Sequence, residues 1–150
     1  MIRKALIKDA KSIQEIINKY GAEGKMLARS LNDIYESIRS FFVYEDENGI
    51  VRGCCASEIF WEDIAEIRSL AVSKEALGKG AGKDLVYVCM NDAKSLGIKK
   101  VFALTYIDGF FTNMGFKIIS RDSLPHKVWK VCINCPKFPD CDETAVEKEL

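Results

Sequence analysis

The stretch from Glu66 to Leu85 constrains the fold of this chain more than any other. It reads Glu66-Ile67-Arg68-Ser69-Leu70-Ala71-Val72, then Ser73-Lys74-Glu75-Ala76-Leu77, then Gly78-Lys79-Gly80-Ala81-Gly82-Lys83-Asp84-Leu85. A strand-like run leads into a short polar turn, and a loop with glycine at every second position opens directly into an amphipathic helix. Glycine lets the backbone approach a ligand closely, and the first turn of a helix leaves several N–H groups without partners. Those donors, with the positive end of the helix dipole, suit an anion such as a pyrophosphate. The loop lacks the Gly-Lys-Ser/Thr ending of a P-loop and does not match the dinucleotide Gly-x-Gly-x-x-Gly spacing. An ordinary glycine turn is the other reading of the same residues.

The rest of the chain alternates strands and helices around that stretch. Residues 2–7 read as a strand, and Asp9 supplies an N-cap for a helix carrying Ile13, Ile16, Ile17 and Tyr20, which Gly21 ends. After a mixed loop over 22–29, Ser30 and Asp33 set up a capping-box-like start for a second helix reaching Ser40. Strands follow at 41–44 and 50–60, joined by a Glu47-Asn48-Gly49 turn, and at 64–72. The helix after the glycine loop runs over 80–95 and Gly97 closes it. A strand at 101–105, a short helix at 108–113 and strands at 116–120 and 128–131 complete the order.

A chain of 150 residues is the size of one domain with a sizeable core. Its 22 basic and 22 acidic residues cancel, so no basic surplus argues for nucleic acid. No apolar run approaches the roughly 18–20 residues of a membrane span, and the start has no signal-peptide pattern. A cytoplasmic chain with neither a nucleic-acid nor a membrane partner is expected. Its six cysteines, Cys54, Cys55, Cys89, Cys132, Cys135 and Cys141, are then reduced thiols or metal ligands rather than disulfides.

Leu70-Ala71-Val72 followed by Gly78-Lys79-Gly80-Ala81-Gly82 resembles the central motif of the GNAT family of acyl-CoA-dependent N-acetyltransferases. In that motif Leu-Ala-Val and a short turn precede Arg/Gln-Gly-x-Gly-x-Gly; Leu77 stands here at the Arg/Gln position. A wider set of segments is similar to the short stand-alone N-acetylglutamate synthases of that family. These are Leu27-Ala28-Arg29-Ser30-Leu31, Phe41-Phe42-Val43, Glu66 to Val72, Leu104-Thr105-Tyr106, and Leu124 to Trp129 with Cys132-x-x-Cys135-Pro136-Lys137-Phe138. The resemblance implies an α/β GNAT fold, a mixed and mostly antiparallel sheet of about seven strands flanked by helices. It covers residues 1–131, leaving 132–150 as a cysteine-bearing C-terminal tail.

It further implies acetyl-CoA as co-substrate and L-glutamate as acceptor, giving N-acetylglutamate, the first step of arginine biosynthesis. By the same resemblance Leu70, Ala71 and Val72 form the strand beside the pantetheine arm. Leu77, Gly78, Lys79, Gly80, Ala81, Gly82 and Lys83 then face the pyrophosphate. Two other functions stay open: acetylation of another small-molecule or protein amine, and non-catalytic acyl-CoA binding by a regulator.

Acetyl transfer to an amine needs a neutral nitrogen, so an ammonium substrate must lose a proton to a base. Glu66 matches the position of the base glutamate in several GNAT enzymes; the alternative is a solvated strand carboxylate. Arg68 shares its face by strand alternation, either to hold an acceptor carboxylate or to form a structural ion pair. Phe111 occupies the place of the family's proton-donating tyrosine, which leaves Thr105 or Tyr106 as the hydroxyl, or ordinary packing for both. A dicarboxylate acceptor calls for two cationic anchors, drawn from Arg29, Arg68, Lys25 and Lys127, the lysines reading equally as solvated charges. His126, Cys132, Cys135 and Cys141 are of the types that hold a structural zinc, or else pack the C-terminal segment as thiols. The expected partners are a small-molecule amine, L-glutamate by the resemblance, and a second copy of the chain in a homodimer.

Overall fold

A computed structural model describes residues 1–124 and 142–150. The strands are β1 (Ile2–Lys4), β2 (Phe41–Glu45), β3 (Val51–Trp61), β4 (Ile64–Val72), β5 (Lys100–Thr105), β6 (Lys117–Ile119) and β7 (Thr144–Glu149). The helices are α1 (Ala10–Ala22), α2 (Leu31–Glu36), α3 (Ala81–Ser95) and α4 (Asp108–Asn113). The strands form one sheet in the order β1-β2-β3-β4-β5-β7-β6, antiparallel except for the β4–β5 pair. This is the mixed, mostly antiparallel α/β sheet of seven strands that the resemblance implies.

Helices cover both faces, and the sequence shows it as runs rather than alternation. Phe41 and Val43 pack with Ile13, Ile17 and Ile34 of α1 and α2, while Phe42 between them joins Leu85, Val86 and Cys89 of α3. Cys54 and Cys55 divide between the same two layers, both fully buried. Burying such side chains on both faces contributes about 25 cal/mol for each Å² of apolar surface removed from water.

Several elements are shorter than expected. β1 ends at Lys4 because the chain turns there: the carboxylate of Asp9 accepts from Leu6 N at 2.7 Å and holds the Arg3 guanidinium at 2.8 and 3.0 Å. Asp9 therefore makes no side-chain cap to α1. Ser30 does cap α2, accepting from Asp33 N at 3.1 Å, but the helix stops at Glu36 and a 3-10 turn, Ile38–Ser40, takes the remainder.

The largest departure is β7, in a stretch the sequence reading leaves as polar tail. It lies between β5 and β6, with Ala145 and Val146 buried and Glu147 paired with Lys100 at 3.2 Å. Residues 142–150 therefore complete the sheet. The expected strand at 128–131 lies outside the described residues. No helix among the described residues is long and apolar enough to cross a membrane.

β4 and β5 diverge at the middle of the sheet. They pair only from Ile64 opposite Lys100 to Glu66 opposite Phe102. β4 continues to Val72 along β3, and β5 continues to Thr105 along β7. Between Arg68 and Ala71 the β3–β4 register also slips, Ala56 facing Arg68 but Cys54 facing Ala71. The extra residue is a bulge in which Ser69 holds φ at 56°, a conformation uncommon outside glycine.

Candidate active site

The divergence opens a cavity of about 690 Å³ walled by Glu66–Val72 on one side and by 103–107 on the other. Backbone N–H and C=O groups on the facing edges of two splayed strands have no ladder partner there, so an extended ligand with amide groups can take that place. Tyr20 reaches in from α1 and donates to Val72 O at 2.5 Å.

The glycine loop forms one end of the cavity. Gly78 and Gly80 hold φ at 80° and 77°, and, chain neighbours aside, no atom of the described residues lies within 4 Å of where a Cβ of either would stand. Gly80 is the N-cap of α3, and among the described residues no side chain caps that helix; its first bond across the cap runs from Asp84 N to Gly80 O at 3.0 Å. The amides just inside the helix therefore face the cavity without helical partners. Gly82 lies where a Cβ would meet Phe110 at 3.6 Å and Val72 at 3.7 Å. The open loop, uncapped helix and bare strand edge fit a diphosphate joined to an extended arm. Of the residues expected to hold CoA, Leu70, Ala71, Val72, Leu77, Gly78, Gly80, Ala81, Gly82 and Lys83 line this space, and Lys79 does not. Leu77, at the family's polar position, stands 56% exposed at its rim.

Glu66 sits where the two strands part. It is buried and lines the cavity, so the reading of a solvated strand carboxylate does not hold. Its carboxyl makes no hydrogen bond among the described residues. Burial pushes it up to about 8; Glu58 and Glu143 act in the same direction, while Arg68 and Arg29 oppose them. A buried carboxyl on a cavity wall whose proton comes and goes near neutral pH is suited to general-base work.

Arg68 also lines the cavity, its Nη1 3.0 Å from Glu58 Oε2. Arg29 is placed differently. It is buried behind the bulge and absent from the cavity wall, bonding Asp33 at 2.7 Å, Glu58 at 3.0 Å, and Ser69 Oγ and Ser37 Oγ at 3.1 Å each. Its charge ties the loop, α2, β3 and the bulge together instead of facing a ligand. Arg29→Met is accordingly expected to cost roughly 3–5 kcal/mol of stability in urea unfolding. The lower end is expected because Asp33, one of its two carboxylate partners, is 45% exposed and regains water.

Lys25 lines the cavity mouth and pairs with Glu23 at 3.2 Å. Thr105 and Tyr106 both line the far wall. Thr105 Oγ1 accepts from Ile107 N at 2.8 Å and keeps its own proton to give, whereas the Tyr106 hydroxyl donates to Asp142 at 2.5 Å. Phe111 is buried edge-on against Phe110 and Phe116. Two acidic residues at this site escaped sequence reasoning. Glu58 lies directly opposite Glu66 in the β3–β4 register, and Glu143 reaches the cavity from just before β7. Counting residues across the hairpin around 62–63 puts Ile59 opposite Glu66; a register shift between Ile59 and Trp61 brings Glu58 there instead. Lys127, His126, Cys132, Cys135 and Cys141 lie outside the described residues. Among the described residues no cluster of His, Cys, Asp and Glu could hold a metal ion.

Residues 37–118 match the family model for acetyltransferase (GNAT) domains. The chain is 45% identical over 149 residues to an uncharacterized N-acetyltransferase of Chlorobaculum tepidum, covering 99% of this chain and 96% of that protein. It is 34% identical over 132 residues to the amino-acid acetyltransferase of Mycobacterium tuberculosis, covering 86% of this chain and 75% of that one. Among solved structures it is similar to the N-acetylglutamate synthase of Neisseria gonorrhoeae complexed with coenzyme A and N-acetyl-glutamate. The TM-score is 0.90 at 30% identity, covering all of this chain and 35% of the longer one.

Proposed function

The chain belongs to the GNAT family of acetyltransferases and is an acetyl-CoA-dependent N-acetyltransferase, and from that premise we propose that it acetylates the α-amine of L-glutamate by direct attack on the thioester. The observation that carries this reading is the pairing, on one face of β4, of a buried carboxyl that makes no hydrogen bond among the described residues and a guanidinium that spends one N–H on Glu58 there. The naming of the M. tuberculosis and N. gonorrhoeae relatives supports the amino-acid part of it. On this reading the product feeds arginine synthesis.

Acetyl-CoA supplies an acetyl group activated as a thioester. The α3 amides and the open glycine loop hold the diphosphate, and the edge of β4 at Leu70–Val72, which β5 leaves unpaired, aligns the arm. Glu66 takes a proton from the incoming ammonium, which frees the lone pair on nitrogen. Arg68 holds one carboxylate of the acceptor, with Lys25 at the mouth as the cation available for the other. Thr105 gives a hydrogen bond at the far wall, where negative charge on the leaving sulfur would otherwise stand unpaired. The apolar lining excludes water that would compete for the acyl group.

Glu143 favours a second reading, since another carboxylate on the wall suits an acceptor carrying positive charge. CoA release measured across the amino acids, a polyamine and a peptide amine separates the two. L-glutamate is expected to give the highest kcat/KM. A preference for a cationic amine would replace glutamate as the acceptor.

A further inference from the structure

Glu58 has no part in the reaction as described so far, yet it joins the two arginines of the site. Its Oε1 meets Arg29 Nη1 at 3.0 Å and its Oε2 meets Arg68 Nη1 at 3.0 Å. Arg29 is itself fixed, with its side chain 2% exposed and bonds to Asp33, Ser37 and Ser69. Arg68 has only Glu58 as a hydrogen-bond partner among the described residues, and its side chain lies on the cavity wall. An arginine on a long flexible stem would otherwise spread over many rotamers, and ordering it costs conformational entropy. A carboxylate anchored from behind removes that freedom before any ligand arrives.

We infer that Glu58 is a positioning residue, holding the Arg68 guanidinium at the cavity wall with its remaining N–H groups turned to the acceptor's carboxylate. This rests on the reading of Arg68 as the acceptor's anchor. Glu58 has a second effect through its place in the sheet. Opposed residues on an antiparallel pair have Cβ atoms about 4.5–5.5 Å apart, and Glu58 is opposite Glu66. The charged groups acting on Glu66 are Arg68 on its own strand, Glu58 on β3, Arg29 from the loop before α2, and Glu143 before β7. Glu58 offsets the two arginines, which would otherwise hold Glu66 ionised and weaken it as a base.

Glu58→Gln tests both effects, because the amide keeps an oxygen for one arginine while losing the charge. Three quantities are read: KM for L-glutamate, KM for acetyl-CoA, and the titration of the Glu66 carboxyl by 13C NMR without ligand. The expected outcome is a rise of about tenfold or more in KM for L-glutamate with KM for acetyl-CoA unchanged. The Glu66 midpoint should fall by roughly one unit on loss of the neighbouring negative charge. An unchanged KM for L-glutamate, or an equal rise in both KM values with an unmoved Glu66 midpoint, overturns the inference. If the wild-type protein does not use L-glutamate, the acceptor reading fails by itself and the NMR titration still decides what Glu58 does to Glu66. Should Glu58→Gln not fold, Arg68→Gln leaves the Arg29–Glu58 pair intact. It should raise KM for L-glutamate similarly and move the Glu66 midpoint upward, and no change in either overturns the inference.

Discussion

Glu66→Gln should lower kcat by about 10²- to 10⁴-fold, the usual contribution of a positioned general base, and should make the protein more stable at the same time. In the wild type, kcat/KM for the amine is expected to rise about tenfold per pH unit on the acid side and to level off above the Glu66 midpoint of about 8. The glutamine variant should lack that limb. The stability effect follows from the same burial. A carboxyl bound to its proton more tightly in the folded than in the unfolded chain favours folding below the ordinary glutamate range, and this benefit is lost as pH rises toward about 8. The two proteins should therefore unfold at similar temperatures near pH 5. At pH 8 the variant should be the more stable, each kcal/mol gained raising Tm by roughly 2–4 °C. Equal activity at pH 7.5 would remove Glu66 as the base, and equal Tm at pH 8 would mean that its charge is not buried.

Gly82→Leu should raise the Kd for CoA by about 100-fold or more, equivalent to about 2.7 kcal/mol, while leaving the fold intact. Gly82 lies in the first turn of α3 with an ordinary negative φ, so a larger residue brings no backbone strain. Leucine is in fact the better helix former by up to about 1 kcal/mol. Its side chain would stand between Phe110 and Val72, where the glycine now leaves the cavity open. Calorimetric titration with CoA, alongside circular dichroism for the fold, reads the two effects separately. Tight CoA binding by this variant would show that the diphosphate does not lie against the start of α3.

What was legible in the sequence was local. The helix start at Gly80 and the open loop before it follow from glycines, which take a positive φ without steric cost. The two-faced core showed in unbroken apolar runs such as Phe41-Phe42-Val43. What escaped depends on contacts between distant segments. Whether Arg29 meets a ligand or a carboxylate turns on Glu58, 29 residues away, and on Ser69, 40 away across a bulge. The burial of Glu66 depends on where β5 parts from β4, which no local pattern encodes. β7 escaped because Thr-Ala-Val-Glu-Lys-Glu holds only two apolar residues, its charges being satisfied by Lys100 and the Met114 carbonyl of other elements.

The grip of the glycine loop on the diphosphate decides whether the cavity holds an acyl donor beside Glu66 at all. Titrating CoA into 15N-labelled protein and following every amide resonance tests that grip directly. The largest shifts should fall on Gly78, Gly80, Ala81, Gly82 and Lys83, with a second set at Leu70–Val72. Shifts that leave those amides unmoved and gather elsewhere on the molecule would contradict it.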